Sequence, residues 1–295
     1  MAVAWGFGDL CWAARCTTTM DFGALREYES YVATSEPTMA ARFGAGELSW
    51  MPDSARAAAS AQLAAGKVVR RNISDPALNQ RLAGENATII DWVGAVRIPL
   101  TKLADLRAVL EDYKRYTDVY RPMVFECRAA QITASTYDAI IGLNNRFRFA
   151  SLFPQHYSFR VKARISYSNR ERGSILNPEL LVHLRSEEIR ESDSGVPGRM
   201  DLLEPYHDHG IMWALNSWWR ARQEGAGLYL EFESVTLARS AQRFACTIGI
   251  IPVPRSVVSS AMDSIPAESL DTVLGGTRAE CARRASRRAA RAFDE

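Results

Sequence analysis

The chain lacks any run of about 18 uninterrupted apolar residues, the length a bilayer-crossing helix needs, so no integral membrane segment is expected. It also has no Gly-rich phosphate loop, no G-x-S-x-G elbow and no H-E-x-x-H pair. Cysteine is sparse: five residues at long, irregular gaps, with no C-x-x-C, exclude a secreted disulfide framework. Cys127, Cys246 and Cys281 sit among apolar neighbours and read as small hydrophobes. Charge of one sign is missing too. With 36 basic and 34 acidic side chains the net charge is +2, which supplies no strong field for nucleic acid or an anionic membrane, and no nucleic-acid partner is expected. The basic bias gathers in the tail "RRASRRAARAF", which has no interleaved stacking aromatics and reads as a solvated helix end. The opening "MAVAWGFGDLCWAARC" has no early Lys or Arg and is broken by Asp9, a poor secretory signal that favours a cytoplasmic location.

What is present divides unevenly. The 295 residues leave room for one large domain with an extension, or for two modest ones. Residues 1–85 read as an N-terminal extension, partly helical or irregular: "DSARAAASAQLAA" suits a helix capped at Asp53 and stopped at Gly66, while "SEPTMAARFGAGELSW" has no sustained periodicity. From residue 86 to the end a single domain is expected. "ATIIDWVGAVRIP" is rich in β-branched residues and closed by Pro99, a strand. In the following "LTKLADLRAVLEDYKRYTDVYRP", Leu103, Leu106, Leu110 and Tyr113 form a helical stripe, and a bend near Lys114 divides it in two. Six β-rich runs then occupy Met123 to Arg239, separated by turn signals such as "NNR" and "SNRERG", and imply an antiparallel meander. Last comes an amphipathic helix behind a Ser264 cap, with Leu270, Val273, Leu274, Thr277 and Cys281 on one face and Gly275–Gly276 weakening its middle.

Strand, helix pair, antiparallel strands and long terminal helix make an α+β order in which the last helix is the element available to cover the sheet. In this order, and in "DWVGAVRIP", "LEDYKRYTDVYRP", "HDHGIMWALNSWWR", "LYLEFESVTLAR" and "SIPAESLDTVLGGTR", the chain resembles the START-like, polyketide-cyclase-like superfamily (SRPBCC), and a bacterial group within it. The resemblance spans about residues 87–282. It implies a helix-grip fold: a curved antiparallel sheet wrapped around a long C-terminal helix. Relatives of that group are often preceded by an export signal, so the resemblance leaves export open as an alternative location.

A hairpin fixes the candidate site. In "RQEGAGLYL", Gly225–Ala226 suits a two-residue type II′ turn, which pairs Trp219 with Phe232, Ser217 with Ser234, Leu215 with Thr236 and Arg220 with Glu231. One face then gathers Trp213, Leu215, Trp219, Leu230 and Phe232, with Ser217, Ser234 and Thr236 as its polar groups. That face is expected to be concave, closed by Leu270, Val273 and Leu274. The other carries Arg220 and Glu231 as a solvated ion pair. If the strand runs back through Gly210, His207 and His209 share the face of Trp213 and Asp208 points outward.

Two histidines at that spacing lack recognisable third and fourth metal ligands, since His156 and His183 lie on other strands; no metal and no cofactor are expected. "RSEEIRES", with Glu187, Glu188 and Glu191 alternating with Arg185 and Arg190, reads as an exposed strand. Two functions remain open. One is a binding module that holds an apolar small molecule or lipid, with Ser217, Ser234 or His209 orienting a polar end. The other is a cyclase- or aromatase-like enzyme using the same cavity with His209 as acid or base. The oligomeric state is not legible.

Overall fold

The computed structural model describes residues 17–149, 153–171, 178–194, 199–241, 247–248, 251–252 and 255–294. It opens on β1 (Thr18–Thr19), α1 (Phe22–Ala45), α2 (Asp53–Ala64), β2 (Val69–Asn72) and α3 (Pro76–Leu82). β3 (Ala87–Ile98), α4 (Leu103–Leu110) and α5 (Tyr116–Val119) lead into β4 (Val124–Thr133), β5 (Thr136–Phe149), β6 (Phe153–Glu171) and β7 (Pro178–Glu191). β8 (His207–Asp208), β9 (Ala214–Glu224), β10 (Gly227–Arg239), β11 (Thr247–Ile248) and β12 (Ile251–Pro252) precede the 40-residue α6 (Arg255–Asp294).

Eight strands form one antiparallel sheet in the order β2-β3-β10-β9-β7-β6-β5-β4. The fold class is α+β, with α6 lying across β3 and β5 on one face of the sheet. The β9–β10 register is the one the turn chemistry demands: Trp219 faces Phe232, Ser217 faces Ser234 and Leu215 faces Thr236. Gly225 adopts φ +57°, the left-handed first turn position that Gly occupies without strain.

Two glycines let α6 sit down. A Cβ on Gly94 of β3 would come within 2.9 Å of Leu270 Cδ2 and 3.0 Å of Leu274 Cδ1, so the missing side chain is the seat for both leucines. A Cβ on Gly276 would lie 2.5 Å from the Val119 carbonyl oxygen. Gly276 therefore costs helix propensity but permits close approach to α5. Leu270, Val273, Leu274, Thr277 and Cys281 are all buried on the inward face of the helix.

Several boundaries differ from the sequence reading. α6 begins nine residues before Ser264 and carries Pro266 inside it; a proline forfeits one helical hydrogen bond, and the rest of the helix spans the loss. Pro52, not Asp53, occupies the cap position of α2, with Asp53 in its first turn. The "NNR" turn signal is overridden, for β5 runs straight through Asn144 and Asn145, whose partners in β6 are Ser158 and Tyr157.

The larger difference is on the opposite face of the sheet. α1, unrecognised in the sequence, packs across β9 and β10, and α2 packs against β2 and β3. Tyr28, Met39, Trp218, Val235 and Leu237 form one buried cluster there, and Phe43, Leu63, Val93 and Tyr229 another. Arg220 and Glu231 are consequently 7% and 4% exposed rather than solvated. Glu231 accepts from the Tyr229 hydroxyl at 2.8 Å, and Arg42 of α1 donates to Glu233 at 2.5 Å. The tail arginines are held in part as well: Arg284 pairs with Asp112 and Arg288 with Asp105. Among the described residues no helix is long and apolar enough to cross a membrane.

Candidate functional site

Between the sheet and α6 lies a cavity of about 140 Å³. Its floor comes from the β9–β10 hairpin. Alternation sends Leu215, Ser217 and Trp219 of β9, and Phe232, Ser234 and Thr236 of β10, to the same face. The Trp219 and Phe232 rings pack with centroids 4.6 Å apart at 53°, a tilted cross-strand aromatic pair. Val273 closes the space from α6, together with Ile265 and Ser269 nearer the start of the helix. The walls include residues the sequence reading did not single out: Ile90 of β3, Tyr116 of α5, Ile141 of β5, Val161 of β6 and Leu184 of β7. Each is an apolar position with the parity of its strand or the stripe of its helix, and that alternation was the available signal.

The remaining predicted residues lie elsewhere. Leu230, Leu270 and Leu274 are 0% exposed and fill the core beside the cavity without lining it. Trp213 belongs to the other face, buried with Met20, Tyr28 and Trp218. The parity count fails because β9 begins only at Ala214, after left-handed backbone at Tyr206 (φ 63°) and Gly210 (φ 78°).

The same break separates the histidines. His207 is exposed on β8 and hydrogen-bonds through Nδ1 with Thr19 Oγ1 at 2.8 Å. Asp208, not His207, is the buried partner of Trp213: its Oδ1 accepts from the Trp213 indole N–H and the Gly210 amide, each at 2.8 Å. His209, 2% exposed, lies outside the cavity lining, with Nδ1 3.0 Å from Glu191 Oε1 and its amide donating to Glu191 Oε2 at 3.2 Å. Glu191, 0% exposed, is thus no part of a solvated charge run, although its neighbours Glu187 and Glu188 do pair with Arg164 and Lys162 on an outer face. Burial raises the Glu191 pKa despite its bonds to His209. Burial opposes the positive charge on His209, but Glu191 outweighs it and raises that pKa also.

His183 stacks on Trp218 at 4.7 Å beneath α1 and bonds Asn216 Oδ1 at 2.9 Å. The side chains of His156 and Cys246 lie outside the described residues. Cys127 and Cys281 are free thiols, each pushed up to about 12 by burial. Among the described residues no group of three His, Cys, Asp or Glu is placed to hold a metal ion.

Asp208 yields a pH prediction. Burial, then the nearby Glu191 charge, push its carboxyl up to about 7, against about 3.9 in an unfolded chain. The folded state therefore binds the proton more tightly. The cost of ionising Asp208 is absent below about pH 4, grows as pH rises, and is complete above about 7. Asp208→Asn keeps an Oδ1 acceptor and removes the charge. Urea unfolding should show its stability relative to wild type improving by about 2 kcal/mol between pH 5 and pH 8; a difference independent of pH would refute the account.

The walls of the cavity carry no charged side chain among the described residues that line it. The tyrosine hydroxyls at its edge are already engaged: Tyr116 donates to the Leu110 carbonyl at 2.5 Å, and Tyr120 shares a hydrogen bond with Thr277 at 3.1 Å.

No family model matches the chain, and no curated protein matches it. Several solved structures are similar. A STAR-related lipid transfer protein from Xanthomonas axonopodis is 11% identical with a TM-score of 0.40, over 72% of this chain and 98% of that one. The Zhui aromatase/cyclase from a Streptomyces species is 14% identical with a TM-score of 0.41, over 67% and 95%. A START superfamily protein from Mycobacterium smegmatis is 8% identical with a TM-score of 0.37, over 66% and 97%. The chain's own eight-stranded antiparallel sheet carries a long C-terminal helix across one face, the arrangement expected of it from the sequence.

Proposed function

We propose that the protein binds an apolar small molecule, or one arm of a lipid, in the cavity between the hairpin β9–β10 and α6. The observation that carries this reading is an apolar void walled by an aromatic pair, where a protein interior is normally close-packed. A water needs only about 10–15 Å³ on a comparable measure, and a dry cavity of about 150 Å³ accepts a benzene ring. At about 140 Å³ and partly open to solvent, the space seats a ring-sized group or the end of a larger apolar ligand. The catalytic alternative gains no support from His209, which is bonded to Glu191 outside the lining.

Filling the space is the direct test. Val273→Phe puts a ring into the void. It should abolish the fluorescence enhancement of N-phenyl-1-naphthylamine while leaving stability unchanged or raised by up to about 2 kcal/mol. A well-packed site would instead lose about 1–3 kcal/mol from overpacking, and that result would remove the reading.

A further inference from the structure

The cavity floor is polar in one place. Ser217 and Ser234 stand directly opposite each other on β9 and β10, and Thr236 follows two residues along on the same face. Directly opposed side chains have Cβ atoms roughly 5 Å apart, and successive same-face positions along a strand are separated by about 7 Å. All three line the cavity. Ser217 is only 3% exposed. β-branched apolar residues would suit these mid-strand positions, and the apolar walls around them, better than serine. Three hydroxyls side by side on this floor, in a lining whose other polar side chains include Asn145 and Ser269 but which is mostly apolar, therefore offer a ligand a local place for hydrogen bonds.

The charge of the ligand follows from the same wall. No Lys, Arg or His among the described residues lines the cavity, so a carboxylate or phosphate placed there would lose hydration with no counter-charge to offset the loss. A hydroxyl or carbonyl oxygen pays much less, and one carbonyl oxygen accepts from two hydroxyls at once. We propose that Ser217, Ser234 and Thr236 select an uncharged ligand bearing a hydroxyl or carbonyl oxygen on an apolar ring or chain, and seat that oxygen on the β9–β10 floor. This rests on the reading of the cavity as a binding site.

Three probes of similar shape separate the two claims. Naphthalene, 2-naphthol and 2-naphthoate are titrated into the full chain at pH 7, where 2-naphthol is neutral and 2-naphthoate charged. Binding is followed by ligand fluorescence. The expected order is 2-naphthol about tenfold tighter than naphthalene, with 2-naphthoate the weakest. In Ser217→Ala/Ser234→Ala the preference for 2-naphthol should collapse with naphthalene affinity unchanged, and Thr236→Val should give a smaller loss of the same kind. A wall without hydrogen-bonding demand would favour naphthalene, because 2-naphthol surrenders more hydration. Naphthalene binding as tightly as 2-naphthol, or a preference that survives the double substitution, overturns the selectivity while leaving the cavity a binding site. Failure of all three probes to bind overturns the binding reading itself.

Discussion

Valine at Gly276 should destabilise the protein by about 3 kcal/mol, while alanine one residue earlier, at Gly275, should stabilise it by up to about 1 kcal/mol. Both glycines sit mid-helix in α6, and propensity alone predicts that either gains from a side chain. Their surroundings decide the sign. A Cβ on Gly275 meets nothing within 4 Å, so only the propensity gain remains. At Gly276 the Cβ falls 2.5 Å from the Val119 carbonyl oxygen and 3.2 Å from Tyr120 Cδ1. A backbone oxygen has no rotamer by which to retreat, so the helix must lift, and Val273, Leu274 and Thr277 lift with it. Thermal and urea unfolding of the two variants give the comparison. Two changes of the same sign would mean that α6 does not approach α5 as described.

The second large effect is expected at His209. Removing it as His209→Ala leaves Glu191 with an ionised carboxylate in an environment that is 0% exposed, supported by backbone donors alone. Breaking one side of a buried pair costs about 3–5 kcal/mol, mostly as the penalty of the abandoned charge. The sign with pH follows. Once pH falls below the raised Glu191 pKa the carboxyl is neutral and the penalty disappears. The variant should therefore be most defective at pH 8 and approach wild type near pH 4, measured by urea unfolding. Glu191→Gln, which leaves no charge to strand, should be milder at pH 8. A loss under about 1 kcal/mol at pH 8 in His209→Ala would show that the pair is not the tie between β7 and the segment entering β9.

Turn chemistry explains why the hairpin could be read so closely. One Gly at the correct position fixes a two-residue connection, and a period of two then assigns every side chain to a face. Trp213 was misplaced by the same counting, because the count ran back through Gly210 into chain that is no longer a strand. α1 was invisible for a different reason. Its buried positions are Ala24, Tyr28, Met39 and Phe43, and Pro37 lies among them, so there is no regular stripe to find. Without α1 the polar face of β9–β10 looks wet. What makes burial tolerable for Glu233 is Arg42, 191 residues away in sequence, and no local pattern carries that information. Leu270 and Leu274 were legible as helix face but not as filler; whether a buried side chain ends in contact or in a void depends on what the opposite element contributes, here the absence of a side chain on Gly94.

The position of β3 has a consequence for biosynthesis. This strand is buried on both faces in the finished sheet, yet its long partner is β10, whose first residue follows the end of β3 by about 130 residues. At ~5–20 residues per second, a ribosome takes roughly 6–26 s to make the intervening chain. Throughout that interval Ile89, Ile90, Val93 and Val96 belong to a strand with one edge open, the kind of edge that pairs with another chain. The segment already synthesised ahead of it holds β2, which pairs along Val69–Asn72, and α2 and α3, which cover one face of the strand. A nascent chain stalled between β3 and β10 thus carries its own shelter, and one made without residues 17–85 meets the same delay bare.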